Sequence, residues 1–134
     1  MSLTSTAEIK VRFADIDVMG HVNNATYLSY FEQARIEFFH QLIDGDWDWH
    51  KDGIVLARNE VDYVYPIHLN DKVEIITKCD RVGGKSLTVS YEVFSIANGK
   101  RQLCATGSSV LVSFDYQSGK SVELPSKWRD KLNS

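Results

Sequence analysis

Two carboxylates, a glycine, a histidine and two asparagines fall within one short stretch, Asp15-Ile16-Asp17-Val18-Met19-Gly20-His21-Val22-Asn23-Asn24. An apolar helical pattern begins directly behind it. A helix start offers unpaired N–H groups and a positive partial charge, which can hold a carbonyl oxygen or a developing oxyanion. A carboxylate a few residues upstream can reach the carbon of that same carbonyl. Asp and Asn are also common loop and capping residues, so spacing by itself leaves both readings open.

The elements that must position this loop are legible around it. Residues 7–14 alternate polar and apolar as a half-buried strand does. From Asn24 to about Ile43, Tyr27, Tyr30, Phe31, Ala34, Phe38 and Leu42 recur at helical spacing, with Asn23 or Asn24 able to cap the start. Residues 44–53 read as a loop, followed by strands near 54–67, 71–82, 86–97 and 102–115. Gly83-Gly84 and Asn98-Gly99 are hairpin dipeptides, because tight turns need the positive φ that these residues tolerate. A short helix is expected over 125–132, with Pro125 near its start. The layout is α+β: one strand, a long helix, then a four-strand antiparallel meander. One helix covers one face of such a sheet, and the edge strands leave N–H and C=O groups unpaired. A homodimer is therefore expected, since closed two-fold assemblies are commonest.

Composition narrows the function classes. The chain has 134 residues, 43% of them hydrophobic and 25% charged, which is ordinary globular composition for one domain over residues 1–134. Its net charge of −3 argues against a nucleic-acid partner, whose binding surface is basic. No apolar run reaches the ~20 residues that span a bilayer, and Met1–Thr6 lacks the features of a secretory signal, so a cytoplasmic location is expected. Cys79 and Cys104 stand apart and read as buried free thiols. His21, His40, His50 and His68 show no metal-ligand spacing, so neither a metal nor a cofactor is expected. His40, on the helix, reads as a surface or interface residue. Gly83-Gly84-Lys85-Ser86 fails as a phosphate loop because its first glycine position is Cys79. Asp44, Asp46 and Asp48 fail as a calcium loop because Trp49 and Val55 stand where Gly and Glu are needed.

The longer string Arg12-Phe13-Ala14-Asp15-Ile16-Asp17-Val18-Met19-Gly20-His21-Val22-Asn23-Asn24-Ala25-Thr26-Tyr27-Leu28, continued by Glu32-Gln33-Ala34-Arg35, resembles the 4-hydroxybenzoyl-CoA thioesterase-like branch of the hotdog-fold acyl-CoA thioesterases. The resemblance implies a five-strand antiparallel sheet wrapped around one long helix, assembled as a homodimer or a dimer of dimers. It implies hydrolysis of acyl-CoA, with Asp17 as nucleophile or general base and the Asn24 backbone N–H polarising the thioester carbonyl. Gly20 then lets the backbone approach the acyl group, because no Cβ intrudes. His21, Val22 and Asn23 are expected to order the loop or line the pocket. Asp15 is expected to brace it. Tyr27 and Phe31 suit either the acyl pocket or the core, and Glu32 and Arg35 are expected at the dimer interface.

Thiolate departure makes such sparse equipment sufficient. A thiol has a pKa near ~8.5, so no strong general acid is required. Strand residues near Val55–Val61 can pair with the pantetheine amides, and Arg58 and Lys85 are candidates for the CoA phosphates, with Arg81 beside them. Each of these cations serves equally well as solvated surface. Two alternatives stay open at this point: a non-catalytic acyl-thioester binding protein, and a thioesterase acting on acyl carrier protein.

Overall fold

A computed structural model describes residues 3–43 and 45–133. Asp44 of the rejected calcium loop and the start of the Met1–Thr6 segment lie outside the described residues. Among the described residues, six strands and two helices follow in the order β1 (Thr4–Ile9), α1 (Thr26–Leu42), β2 (Gly53–Tyr63), β3 (Lys72–Val82), β4 (Ser86–Ala97), β5 (Lys100–Asp115), β6 (Lys120–Ser121) and α2 (Ser126–Leu132). All pairings are antiparallel, in the spatial order β1-β3-β4-β5-β2, with β6 added to the end of β5.

The sheet wraps one face onto α1. Along β4 the buried residues are Leu87, Val89, Tyr91, Val93 and Ser95, a strict alternation, as expected when one face of an antiparallel sheet meets the core. The helix answers with Tyr27, Tyr30, Phe31, Ala34, Phe38 and Leu42, all buried, which is the stripe that the helical spacing predicts. Phe31 stacks on Tyr91 with ring centroids 4.1 Å apart. This contact requires Gly107, where a Cβ would lie 2.6 Å from both the Phe31 ring and the Glu60 carbonyl. At the Asn98-Gly99 hairpin both residues have positive φ, 52° and 73°, the geometry that joins strands in two residues.

Four expectations need correction. The first strand runs over Thr4–Ile9 rather than 7–14. Its inward phase continues through buried Val11, but Phe13 is 84% exposed. The chain turns there in a short 3-10 helix, Phe13–Asp15, held by the Arg12 N–H on the Asp15 carboxylate at 2.9 Å and the Asp15 N–H on the Arg12 carbonyl at 2.9 Å. The four later strands are not a simple meander. Strand β2 pairs with β5, not with β3, and forms the edge opposite β1. The long 64–71 connection crosses the end of the sheet to make this possible. The sheet also gains a sixth strand of two residues, Lys120–Ser121. Cys104 is fully buried as expected, whereas Cys79 is only half-buried, beside an irregularity in the β3–β4 register.

Candidate active site

The Asp15–Asn24 loop is built on two carboxylates with different tasks. Asp15 is 1% exposed. Its carboxylate accepts from the Arg12 guanidinium at 2.8 and 3.2 Å, from the Arg12 N–H at 2.9 Å and from the Tyr30 hydroxyl at 2.8 Å. Burial pushes the Asp15 carboxyl up, but the Arg12 and Tyr30 hydrogen bonds outweigh it and hold the group below the usual carboxylate range. The Asp15 carbonyl also accepts the Asn23 N–H at 2.8 Å, so this residue ties both ends of the loop to α1. That is the bracing role the loop needs.

Asp17 is arranged otherwise. One carboxylate oxygen, Oδ1, accepts the Met19 N–H at 2.9 Å and the His21 N–H at 3.4 Å. The other, Oδ2, takes no hydrogen bond among the described residues. Gly20, with φ +81°, closes the turn by donating its N–H to the Asp17 carbonyl at 3.0 Å; a side chain would be strained in that backbone conformation. The Asn23 side chain accepts the Ala25 N–H at 2.9 Å and its carbonyl accepts the Thr26 N–H at 2.9 Å, so Asn23 makes the turn that leads into α1; the cap position itself is Ala25, with no side-chain cap bond, rather than Asn23 or Asn24. No acceptor among the described residues takes the Asn24 N–H, which sits at the open start of α1.

A cavity of about 430 Å³ opens between this loop and the end of β2. Asp17, His21, Val22, Asn24 and Tyr27 line one side, which unites five of the residues that the sequence singles out. The other side is Tyr63, Val64, Tyr65 and Pro66, with Met19 at the rim. Gly20 and Asn23 shape the loop without lining the cavity. Val22 is buried and pins the loop to the wall through its N–H on the Ile67 carbonyl at 2.8 Å. His21 meets His68 edge-on at 5.1 Å. Tyr27 is 2% exposed, so it serves core and cavity together. Burial pushes its phenol up to about 12, with Cys104 and Tyr63 acting the same way and a hydrogen bond with the Ile67 backbone opposing. Tyr27 therefore stays neutral at physiological pH.

The Tyr63–Pro66 wall is what the sequence reading missed. Tyr63 and Tyr65 sit in a run that reads as uninterrupted strand to residue 67, whereas pairing ends at Tyr63. Beyond it, the Val64 and Tyr65 N–H groups both donate to the Cys104 carbonyl, at 2.8 and 3.1 Å. Cys104 is the extra residue where the β4–β5 register shifts, and its carbonyl can catch the departing chain. The Tyr63 ring then lies edge-on to Tyr27 at 5.0 Å, and its hydroxyl donates to the Asn24 carbonyl at 2.7 Å. Two aromatic residues beside Pro66 are the available signal.

The remaining residues that the sequence singles out lie outside the cavity. Arg58, on the edge strand, pairs with Glu60, and Lys85 stands in the β3–β4 turn; neither lines the cavity. Phe31 belongs to the core. Arg35 is buried within its own chain, only 8% exposed, rather than displayed for a partner, while Glu32 is exposed. His40 lies on the surface, within 3.9 Å of Glu37.

The comparisons with known proteins bear on the family and the fold. The family model described as the thioesterase-like superfamily matches residues 11–132. The long-chain acyl-CoA thioesterase FadM of Escherichia coli (strain K12) is 30% identical over 126 residues, covering 93% of this chain and 94% of that protein. A thioesterase from Thermus thermophilus, solved with coenzyme A and zinc, is 39% identical, with a TM-score of 0.81 over 96% of this chain and 97% of that one. The 4-hydroxybenzoyl-CoA thioesterase from Pseudomonas sp. strain CBS-3 is 18% identical and has the same fold, with a TM-score of 0.85 over 97% of this chain and 99% of that one. With its wrapped antiparallel sheet, its acidic loop ahead of α1 and a family match over nearly its full length, the chain belongs to the thioesterase-like superfamily.

Proposed function

We propose that this thioesterase hydrolyses acyl-CoA to the free acid and CoA, with Asp17 attacking the thioester carbon or drawing a proton from the water that does. The supporting observation is that Asp17, one of whose oxygens takes no hydrogen bond among the described residues, and Asn24, whose N–H is likewise unpaired there, line one cavity. Asp17 is half-buried just ahead of the start of α1, and a carboxylate there can take either role. The Asn24 N–H polarises the carbonyl and stabilises the oxyanion that forms. Gly20 and Asn23 hold the loop, while His21, Val22 and Tyr27 bound the acyl group together with Tyr63 and Tyr65. The thiolate leaves as the tetrahedral centre collapses, and its low basicity explains how one carboxylate suffices.

CoA phosphates lie a pantetheine's length from the reacting carbon, so groups outside the cavity meet them; Arg58 and Lys85 are assigned that role. A second copy of the chain is assigned to the outer edge of β2, where Leu56, Tyr63, Val64 and Tyr65 are exposed. The assembly is a homodimer or a dimer of dimers, and light scattering giving a monomer at micromolar concentration would refute it. The 1–134 chain is read as one cytoplasmic domain; no helix among the described residues is long and apolar enough to cross a membrane.

The test is a panel of short, medium, long and aromatic acyl-CoAs assayed for free thiol, with acyl carrier protein thioesters alongside. Asp17→Asn keeps the Oδ1 acceptor for Met19 and His21, so the loop stays folded while turnover falls at least about 1,000-fold. Unchanged turnover would remove Asp17 from the reaction. Acyl-CoA binding by the wild type without thiol release would make the protein a binder.

A further inference from the structure

A chain of polar groups runs through the core from α1 to the edge strand. The Arg35 guanidinium donates to the Tyr91 hydroxyl at 3.1 Å and to the Ser109 hydroxyl at 3.3 Å. Tyr91 donates to Ser109 at 2.7 Å, and Ser109 donates to the Asn59 side-chain oxygen at 2.5 Å. Tyr91 is 1% exposed and Ser109 fully buried. No carboxylate among the described residues pairs with Arg35, although a buried guanidinium without an acid forfeits much solvation. An apolar residue of similar length would pack there at less cost, so stability alone is a poor reason for this arginine.

The direction of the chain is fixed by chemistry. A guanidinium only donates, so the oxygens of Tyr91 and Ser109 must receive, and their own protons must pass outward. The last acceptor is therefore required at residue 59. That residue follows a bulge: Leu56 pairs with Leu111 and Arg58 with Val110, leaving Ala57 extra. A one-residue slip here exchanges the two faces of everything beyond it. With Asn59 facing inward, Val61 and Tyr63 follow on the same face, and Tyr63 arrives on Tyr27 with its hydroxyl on the Asn24 carbonyl.

We propose that Arg35, acting through Tyr91, Ser109 and Asn59, is a positioning residue that fixes the phase of β2 after its bulge and thereby sets the Tyr63 wall of the acyl-thioester cavity. This rests on the reading of that cavity as the substrate site. None of the chain's hydrogen bonds involves Asp17, and the loop is reached only through the Tyr63 bond to the Asn24 carbonyl, so loss of the chain alters how substrate is held more than how it is attacked.

The experiment uses Asn59→Ala, Asn59→Asp and Arg35→Met in the full chain. Asn59→Ala removes only the last acceptor of the chain and is expected to raise KM for acyl-CoA about fivefold to tenfold with kcat within about twofold. Asn59→Asp keeps an acceptor oxygen for Ser109 and restores KM. Arg35→Met repeats the KM effect where it folds. Backbone hydrogen exchange over residues 58–65 gives a reading independent of turnover and is expected to speed up at least about tenfold in Asn59→Ala and to return in Asn59→Asp. Unchanged exchange over that segment overturns the proposal whether or not the protein is active. Faster exchange with unchanged KM overturns the link to the cavity. A wild type that hydrolyses no thioester would instead defeat the substrate reading, and the exchange comparison would still decide whether the chain fixes β2.

Discussion

Tyr30→Phe removes a single oxygen from the centre of the fold and tests the account of the loop. Tyr30 is 1% exposed, and its hydroxyl donates to Asp15, also 1% exposed, at 2.8 Å. The ring stays in place, so no cavity larger than one oxygen forms. A hydrogen bond to a charged group contributes about 1.5–3 kcal/mol, and the Asp15 carboxylate retains only its Arg12 donors. A loss of about 1.5–3 kcal/mol is expected, lowering Tm by about 5–10 °C for a chain of this size. Urea unfolding followed by tryptophan fluorescence reads it directly, because Trp128 is 1% exposed in the native state. The pH dependence has a definite sign. The folded-state pKa of Asp15 lies below its unfolded value, so its stabilisation is fully present above the unfolded value near ~3.9 and is lost as pH falls through the folded one. Tyr30→Phe removes one cause of that depression, so its acid unfolding begins at higher pH than in the wild type. A stability loss below about 0.5 kcal/mol, or an unshifted acid transition, would refute the view that Tyr30 helps hold a buried carboxylate charged.

Three further substitutions probe other parts of the molecule. Gly107→Ala forces a Cβ to within 2.6 Å of the Phe31 ring and the Glu60 carbonyl, which costs roughly 1–3 kcal/mol in thermal or urea unfolding. Gly20→Ala meets no atom within 4 Å but imposes φ +81° on a side-chain-bearing residue; it costs about 1 kcal/mol, and turnover falls because Asp17 shifts with the turn. Tyr63→Phe frees the Asn24 carbonyl from its 2.7 Å bond, and KM in the free-thiol assay rises several-fold while Tm moves little, since the tyrosine is 46% exposed.

How much of this is legible in the sequence depends on the range of the interactions involved. The helix is readable because each buried residue of α1 lies close to the next at helical spacing. Asp15 and Asp17 stand out together, but their division of labour rests on Arg12 and Tyr30, and only Arg12 is close in sequence. Tyr30 reaches Asp15 across fifteen positions of chain. The first strand reads too late in the chain for a related reason. Ala7, Ile9, Val11 and Phe13 alternate without a break in the sequence, yet the reciprocal Arg12–Asp15 bonds turn the chain before Phe13 can join the sheet.

The second wall of the cavity lies beyond reach for a deeper reason. Alternation along β2 reports which residues face the core only if the register is known, and the bulge at Ala57 changes that register within the strand. Nothing near Ala57 announces the shift; it is set by pairing with β5, fifty positions away at the Asn59–Ser109 pair. The strand order compounds this, because a chain read as a meander places β2 beside β3 rather than β5. Tyr63 therefore comes to Tyr27 through three long-range events: β2 choosing β5, the bulge choosing the phase, and the Cys104 carbonyl ending the strand. A cavity divided between a local loop and a wall set in this way is legible on its Asp17–Tyr27 side and hidden on its Tyr63–Pro66 side. On the proposed reading this carries over to mutation: changes at Asp17 or Gly20 should act mainly on kcat, and changes at Asn59 or Tyr63 mainly on KM.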